Sequence, residues 1–279
     1  MDQTPFELEI GDGTLHGHYS GKGAPALLLH GGPGLPDMTE GCAAELFDIF
    51  TPIRYTQRGT LPSTVGGPYT IESHMADALA VLDAFELDMA WVIGHSWGGH
   101  LALHLVANYP ERFHGIVCIG TLGASLDVLP EFEENLLRDL PDEQRELVKD
   151  IDARSEEGEA SEEELLESFS IIWPYYFADP AAAPPFPVKH FGTECATETS
   201  RSIKEHFEAG ELPKKLRRVR MPALFAHGVQ DPLPLRAAVE TAKLIKGARV
   251  GRMPNCGHFP WIEQKGRLNR MIRGLISEL

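Results

Sequence analysis

The residues at 94–98, Gly-His-Ser-Trp-Gly, could support nucleophilic chemistry. They follow a short apolar run at 90–93, which is typical of a buried strand, and precede an apolar segment at 100–109, which is typical of a helix. A nucleophile at such a sharp turn needs neighbours without Cβ atoms, and the motif has glycine at both ends. The pattern therefore predicts that the hydroxyl of Ser96 stands clear of a sheet, at the N-terminus of a helix.

A serine hydroxyl needs a general base, and the base needs an orienting carboxylate. Asp231 and His258 each follow a short predicted strand in the last third of the chain. Ligands of open α/β sheets bind at the edge where the strands end, so these side chains are expected to meet Ser96 there. The order of the three residues predicts a Ser-His-Asp triad. Asp127, which follows an earlier strand, is the alternative acid.

A glycine-rich segment at 30–34, His-Gly-Gly-Pro-Gly, follows another buried-strand pattern. Acyl transfer needs N–H donors aimed at the oxygen that becomes negatively charged. One donor is expected to be the backbone N–H of Trp97, directly after the nucleophile. The other is that of Gly31 or Gly32, where the backbone must approach the substrate closely. Gly32 is the favoured donor of these two.

Strand and helix patterns alternate on both sides of these motifs. The segments Phe6–Ile10 and Leu15–Tyr19 flank an Asp-Gly turn and predict a hairpin. Apolar residues three and four apart predict an amphipathic helix over 71–85, and further helices are expected over 39–50 and from His258 onward. The alternation predicts an α/β fold with a mostly parallel central sheet flanked by helices.

The alternation stops between residues 123 and 213. This segment, 123–213, contains helix-like acidic stretches and the aromatic run at 173–177, without the pattern of a buried strand. We interpret it as a helical lid inserted into one core made of 1–122 and 214–279. Within 131–167, 16 acidic side chains stand against four basic ones. Such a run is typical of a solvated helical face, and attraction of a cationic substrate is the alternative.

The net charge of −16 disfavours nucleic acids and anionic membrane surfaces as partners. No apolar stretch reaches the roughly 18 residues of a membrane helix, and the first residues lack the pattern of a signal peptide. The four cysteines lie far apart, without metal-site spacing. These features predict a cytoplasmic protein that uses no metal or cofactor, and they leave its oligomeric state open.

Together with the predicted triad, the motifs at 30–34 and 94–99 resemble those of the α/β-hydrolase superfamily. The resemblance covers residues 5–121 and 214–279, with the middle segment as the lid. Within the superfamily, both motifs and the Gln-Arg-Gly at 57–59 are most similar to the proline iminopeptidase-like branch. The resemblance implies an α/β-hydrolase fold with a nucleophilic serine.

We therefore expect a serine hydrolase that cleaves a small-molecule ester or amide through an acyl-enzyme, its substrate being a small molecule or short peptide. A proline iminopeptidase is the alternative. That branch carries a lid Trp-x-x-Trp-Glu motif whose glutamate binds the free amine, whereas this chain has Ile171–Tyr175 there. A lyase-type enzyme and a catalytically silent binding protein are less favoured. The side chains expected to form the pocket wall are Trp97, Trp173, Tyr176 and Phe177.

Overall fold

An eight-stranded sheet forms the centre of the molecule. The computed structural model describes residues 3–278. The strands are β1 (Thr4–Ile10), β2 (Gly13–Tyr19), β3 (Ala24–Leu29), β4 (Phe50–Tyr55), β5 (Ala90–His95), β6 (Phe113–Ile119), β7 (Ala223–Gly228) and β8 (Arg249–Met253). Their order across the sheet is β1-β2-β4-β3-β5-β6-β7-β8.

Most neighbouring strands run parallel. β1 and β2 form an antiparallel hairpin in which Thr4 pairs with Tyr19, and β2 also runs antiparallel to β4. The remaining pairs are parallel. The predicted hairpin and the mostly parallel sheet are therefore confirmed. Because parallel strands end at the same edge, the loops after β3, β5, β6, β7 and β8 meet there.

Helices flank the sheet and fill the long connection between β6 and β7. They are α1 (Glu40–Leu46), α2 (Ile71–Ala84), α3 (Trp97–Asn108), α4 (Leu129–Leu137), α5 (Asp142–Glu156), α6 (Glu162–Ile172), α7 (Thr193–Ala209), α8 (Leu212–Leu216), α9 (Leu235–Ala242), α10 (Pro260–Glu263) and α11 (Arg267–Ile276). Two predicted helices were too long. The helix expected over 39–50 ends at Leu46 because Phe50 already begins β4, and the one expected from His258 is divided into α10 and α11.

The chain between Ile119 and Ala223 adds no strand to the sheet within residues 3–278. Its regular structure consists of α4 to α8 and short 3-10 turns. Side chains of α4, α5 and α6, among them Leu136, Val148 and Ile172, form an apolar cluster of their own. This part of the chain thus has a small core that is separate from the sheet.

The two faces of the sheet are buried by alternating side chains. On β3, Leu27 and Leu29 join the cluster on one face, whereas Ala26 and Leu28 join the cluster on the other. All four side chains are fully buried. Since successive residues of a strand point to opposite faces, a continuous apolar run is what a strand covered on both sides requires. The site loops are therefore anchored on strands that are packed on both faces.

The structure shows the state of the cysteines and the length and polarity of the helices. In the described part of the chain, no helix is long and apolar enough to cross a membrane. All four cysteines are buried and carry free thiols. Burial raises the pKa of Cys195 to about 11, which keeps this thiol protonated near neutral pH.

A buried ion pair joins the loop after β4 to α2. Arg58 donates from Nε and Nη2 to the two carboxylate oxygens of Asp77, at 2.7 and 2.6 Å. The side chains are only 8% and 1% exposed. Arg58 also donates to the carbonyl oxygens of Gly66 and Pro68. The pKa of Asp77 is nevertheless raised, because burial outweighs the attraction of the guanidinium group. Removing either partner would leave an uncompensated buried charge.

Replacement of Arg58 by methionine is expected to lower the free energy of unfolding by about 3–5 kcal/mol. The double variant Arg58→Met/Asp77→Leu should recover most of this loss, since it removes both charges. Urea unfolding followed by tryptophan fluorescence measures the difference. The control is Arg112→Met, which breaks the more exposed pair with Asp83 and should cost less than about 1 kcal/mol. Equal losses in the two single variants would show that burial does not determine the cost of removing one partner of an ion pair.

Candidate active site

A single residue, Ser96, forms the turn between β5 and α3. Its backbone has φ 56° and ψ −119°, a conformation that residues other than glycine rarely adopt. The Ser96 N–H donates to the carbonyl oxygen of Ile119 on β6 at 2.9 Å. The strained turn is therefore fixed by the neighbouring strand.

Two glycines allow this turn to form. A Cβ atom on Gly94 would lie 2.1 Å from the carbonyl oxygen of Gly98. A Cβ atom on Gly98 would lie 2.3 Å from the carbonyl oxygen of Leu29 on β3. Both distances are far below van der Waals contact, so no side chain fits at either position. The glycines thus let β3, β5 and α3 approach each other beneath Ser96.

Ser96 is the accessible residue of an otherwise buried segment. From Ala90 to Val106 all residues except Ser96 are buried, and Ser96 is partly exposed. The N–H of Trp97 lies in the first turn of α3, where a helix has no internal acceptor to offer. The positive end of the helix dipole therefore lies next to the serine hydroxyl.

The structure brings Asp231 and His258 together at the sheet edge. His258 Nδ1 lies 2.8 Å from Oδ2 of Asp231, and the other oxygen, Oδ1, accepts from the N–H of Leu233 at 2.9 Å. The carboxylate can only accept, so the bond assigns the proton to Nδ1 and leaves Nε2 with a lone pair. The side chains of His258 and Asp231 are 3% and 0% exposed. This is the arrangement of a general base oriented by a buried acid.

The residue next to the serine contacts the base, whereas the serine itself is not directly bonded to it. The ring of His95, next to Ser96, lies 4.5 Å from the ring of His258. Among the hydrogen bonds within residues 3–278, none joins Ser96 Oγ to His258, so the expected contact is not formed in this structure. Catalytic hydrogen bonds of this kind often tighten only when substrate binds.

The alternative acid, Asp127, is located elsewhere. Its side chain is 59% exposed and lies 3.1 Å from the guanidinium group of Arg236. Arg236 also donates to the backbone oxygen of Asp127. Since Asp231 occupies the position beside the imidazole, Asp127 is left as a surface partner of Arg236.

The glycine-rich segment after β3 lies against the serine turn. A Cβ atom on Gly31 would lie 3.1 Å from Cβ of Ser96, and Gly32 has φ +134°. Burial lowers the pKa of His30, whose neutral ring can donate from Nδ1 to the Gly31 oxygen at 2.6 Å. Its Nε2 accepts from the N–H of Gln57 at 2.9 Å. His30 therefore holds this loop in place.

A sequence model of the family described as alpha/beta hydrolase fold matches residues 25–265. The chain belongs to this family. The match covers most of the sheet, the serine turn and the loops that carry Asp231 and His258. It confirms the predicted α/β-hydrolase fold.

The relatives of this α/β-hydrolase include enzymes with different substrates. It is 27% identical to 2-hydroxymuconate semialdehyde hydrolase of Pseudomonas putida, over 94% of this chain and 90% of that one. It is 24% identical to the proline iminopeptidase of Lactobacillus delbrueckii subsp. bulgaricus, over 91% and 90% of the two chains. These names confirm the prediction of a hydrolase.

The fold is also found in solved structures. The 2-hydroxy-6-oxo-6-phenylhexa-2,4-dienoate hydrolase from Rhodococcus sp. strain RHA1 superposes with a TM-score of 0.73, covering 99% of both chains at 21% identity. At this identity the likeness shows the fold alone.

The expected pocket-wall residues lie in two different environments. The centroid of the Tyr176 ring lies 5.2 Å from the centroid of the His258 ring. Trp173 and Phe177 are 5% and 4% exposed and pack on Phe259 instead, with ring distances of 4.8 and 5.4 Å. Of these three side chains, only Tyr176 lies beside the base. The other two pack on Phe259, the residue that follows the base in the chain.

The expectation that the ring of Trp97 lines the pocket does not hold. The ring is 1% exposed, donates from Nε1 to Oε1 of Gln57 at 2.9 Å, and packs edge-on to His74. It belongs to the core cluster on one face of the sheet. The predicted role of its backbone N–H as a donor is separate from the place of the ring and stays a prediction.

Sequence reasoning missed Gly120, which follows β6. It has φ +50°, and a Cβ atom there would lie 2.9 Å from both Asp231 Oδ2 and His258 Nδ1. A side chain at this position would therefore disrupt the contact between acid and base. The only signal in the sequence was a glycine directly after a predicted strand.

A Ser96→Gly variant should be more stable than Ser96→Ala, although neither has the hydroxyl. The positive φ strains any residue with a Cβ atom by about 1–3 kcal/mol, whereas glycine adopts it freely and loses about 0.5–1 kcal/mol through unfolded-chain entropy. The net gain of about 1 kcal/mol can be measured by urea unfolding. If alanine were the more stable replacement, the strained turn would be excluded.

Proposed function

We propose that this chain is a serine hydrolase of a small-molecule ester or amide, with Ser96, His258 and Asp231 as the catalytic triad. The observation that carries the proposal is the 2.8 Å contact of His258 Nδ1 with the buried carboxylate of Asp231, at the sheet edge where Ser96 is partly exposed. A relative named for hydrolysis of 2-hydroxymuconate semialdehyde supports a small-molecule substrate.

In the first half of the reaction, Ser96 Oγ attacks the carbonyl carbon while Nε2 of His258 takes its proton. The imidazolium ion is stabilised by Asp231, which stays ionised. The tetrahedral intermediate then expels the alcohol or amine, which receives the proton from His258. The product is an acyl-enzyme on Ser96.

In the second half, water attacks the acyl-enzyme and His258 again acts as the base. Collapse of the second tetrahedral intermediate returns the proton to Ser96 and releases the acid. In both intermediates the negative oxygen accepts hydrogen bonds from the N–H of Trp97 and from Gly31 or Gly32. Gly32 is the preferred donor of the two, and its φ of +134° is a backbone conformation that favours glycine.

We assign residues 123–213 as the lid over this site, and Tyr176 as the side chain through which it contacts the base. The acidic helices of this segment point most of their carboxylates outward: Asp142, Glu143 and Glu146 are exposed. This supports a solvated acidic face and an apolar pocket near Tyr176. The cytoplasmic location stays a prediction.

A proline iminopeptidase is the second candidate, because one exposed carboxyl of the acidic helices also accepts from a buried hydroxyl. Asp152 on α5 lies 3.5 Å from the hydroxyl of the buried Ser168. Loss of surrounding water raises its pKa to about 6, although the residue is still accessible. Burial, followed by the charges of Asp231 and Asp152, raises the pKa of Tyr176. Asp152 lies on α5, which contributes Val148 to the apolar cluster against which Tyr176 packs, and such a carboxylate could bind a substrate ammonium group.

Activity should depend on the triad as follows. Ser96→Ala should remove labelling by a fluorophosphonate probe and lower kcat by about 10⁴-fold or more, and Asp231→Asn should lower kcat by about 10⁴-fold by leaving His258 badly oriented. The matched controls are Ser125→Ala and Asp127→Asn, which should keep the activity of the unmodified chain. If Asp127→Asn were the damaging variant, the acid would be assigned wrongly.

The two candidate substrates can be separated by comparing proline β-naphthylamide with a short-chain p-nitrophenyl ester. The first candidate predicts faster turnover of the ester, unchanged in Asp152→Asn. If Asp152 binds an ammonium group, KM for the proline amide should fall as the pH rises through about 6, because the carboxylate with its raised pKa is charged only above that pH.

In that case Asp152→Asn should abolish turnover of the proline amide and leave the ester reaction intact. Asp150→Asn is the control on the same helix, since Asp150 is exposed and pairs with Arg154. Rapid, Asp152-dependent turnover of the amide would replace the first candidate by the second.

A further inference from the structure

A carboxylate outside the triad binds the loop that carries His258. Both oxygens of Glu263, on α10, accept from the N–H of Gly257, at 2.9 and 3.0 Å. Oε2 also accepts from the N–H of Ala178, at 2.9 Å. Glu263 thus bonds to the residue directly before the base and to the chain that follows Tyr176.

Residues 176–178, the lid strip, also contact the loop directly. The N–H of His258 donates to the carbonyl oxygen of Tyr176 at 2.8 Å. A Cβ atom on Gly257 would lie 2.2 Å from that same oxygen and 2.9 Å from the nitrogen of Ala178. The loop and the lid strip are therefore in backbone contact, with Glu263 bonded to both.

The remaining polar contacts of His258 come from the other side. Its carbonyl oxygen lies 3.0 Å from Nε2 of His95, beside the serine turn, and its Nδ1 bonds to Asp231. The imidazole position is thus set by the serine turn, by the acid and by the lid strip. Glu263 is the side chain that holds the lid strip against the loop of the base.

We propose that Glu263 is a positioning residue for the base, and that it couples the lid strip to His258; this rests on the proposed triad. A carboxylate suits the task because it only accepts hydrogen bonds, and both N–H groups here, those of Gly257 and Ala178, need an acceptor. A glutamine would turn its NH₂ group towards one of these donors. Within residues 3–278, Glu263 has no hydrogen bond or ion pair with a side chain of the proposed triad, so its effect is on the placement of the imidazole.

Loss of Glu263 should loosen the loop without collapsing it. A cavity of about 480 Å³ borders Ala178 and Glu263, so water can take the place of the carboxylate. A base displaced by about 1 Å can lower the rate about 10²-fold. Substrate affinity should change little, because Glu263 bonds to the backbone of the loop that carries His258.

The test compares Glu263→Ala and Glu263→Gln with the unmodified chain, using the rate of fluorophosphonate labelling of Ser96 and kcat and KM for a p-nitrophenyl ester. Labelling and kcat should fall about 10- to 100-fold in the alanine variant and less in the glutamine variant, with KM within about threefold. Glu240→Ala, an exposed carboxylate on α9, is the matched control and should behave as the unmodified chain.

Thermal unfolding of each variant separates positioning from folding. Slow labelling of Glu263→Gln, at a temperature where it is fully folded, supports the proposal. Normal labelling and kcat in both variants would overturn it, whatever their stability, and so would a loss confined to KM. If the unmodified chain is not labelled at Ser96, the triad itself is refuted and the inference with it. Failure of this proposal and failure of the triad are distinguishable, because only failure of the triad leaves the unmodified chain unlabelled.

Discussion

The close approach of β3, β5 and α3 beneath Ser96 is the constraint on which the site depends. Gly94 and Gly98 leave no space for a Cβ atom, and Ser96 takes up the resulting turn with a positive φ. The hydrogen bond to Ile119 holds this strained residue. The partial exposure of Ser96 and its place at the N-terminus of α3 are both consequences of this packing. Strain is tolerated here because strands packed on both faces leave the turn no alternative.

The parallel sheet explains why residues far apart in the chain lie at the sheet edge that carries Ser96. The glycine-rich loop follows β3, Gly120 follows β6, Asp231 follows β7 and His258 follows β8, and all these strands end at one edge. The long helical segment leaves the sheet after β6 and returns at β7, so it starts and finishes near the same edge. Its length therefore does not disturb the strand order, and Tyr176 can reach the imidazole of His258.

Local patterns in the sequence were enough to predict the strands, the serine turn and the pairing of Asp231 with His258. The strands and the serine turn depend on apolar periodicity and on glycines at fixed spacing. The pairing depends on the strands that precede Asp231 and His258 and on the order of these residues in the chain. The place of the Trp97 ring could not be predicted, because it depends on Gln57 and His74, which come from other elements. The contacts of Gly120 and Glu263 were missed for the same reason. A glycine after a strand or a glutamate in a short helix has no distinctive local signal, and its role follows only from tertiary contacts.

The hydrogen bonds around His258 join part of the inserted segment to the base. The lid strip shares backbone hydrogen bonds and Glu263 with the loop of the base, so a movement there would also displace the imidazole. The helices α4, α5 and α6 pack around an apolar cluster, and Tyr176 of the lid strip packs against the same cluster. Because the ring of Tyr176 also lies beside the imidazole of His258, a substitution in this cluster would also change the surroundings of the base. Relatives with the same fold but different substrates are compatible with this arrangement, since function depends on contacts in the site and not on the fold alone.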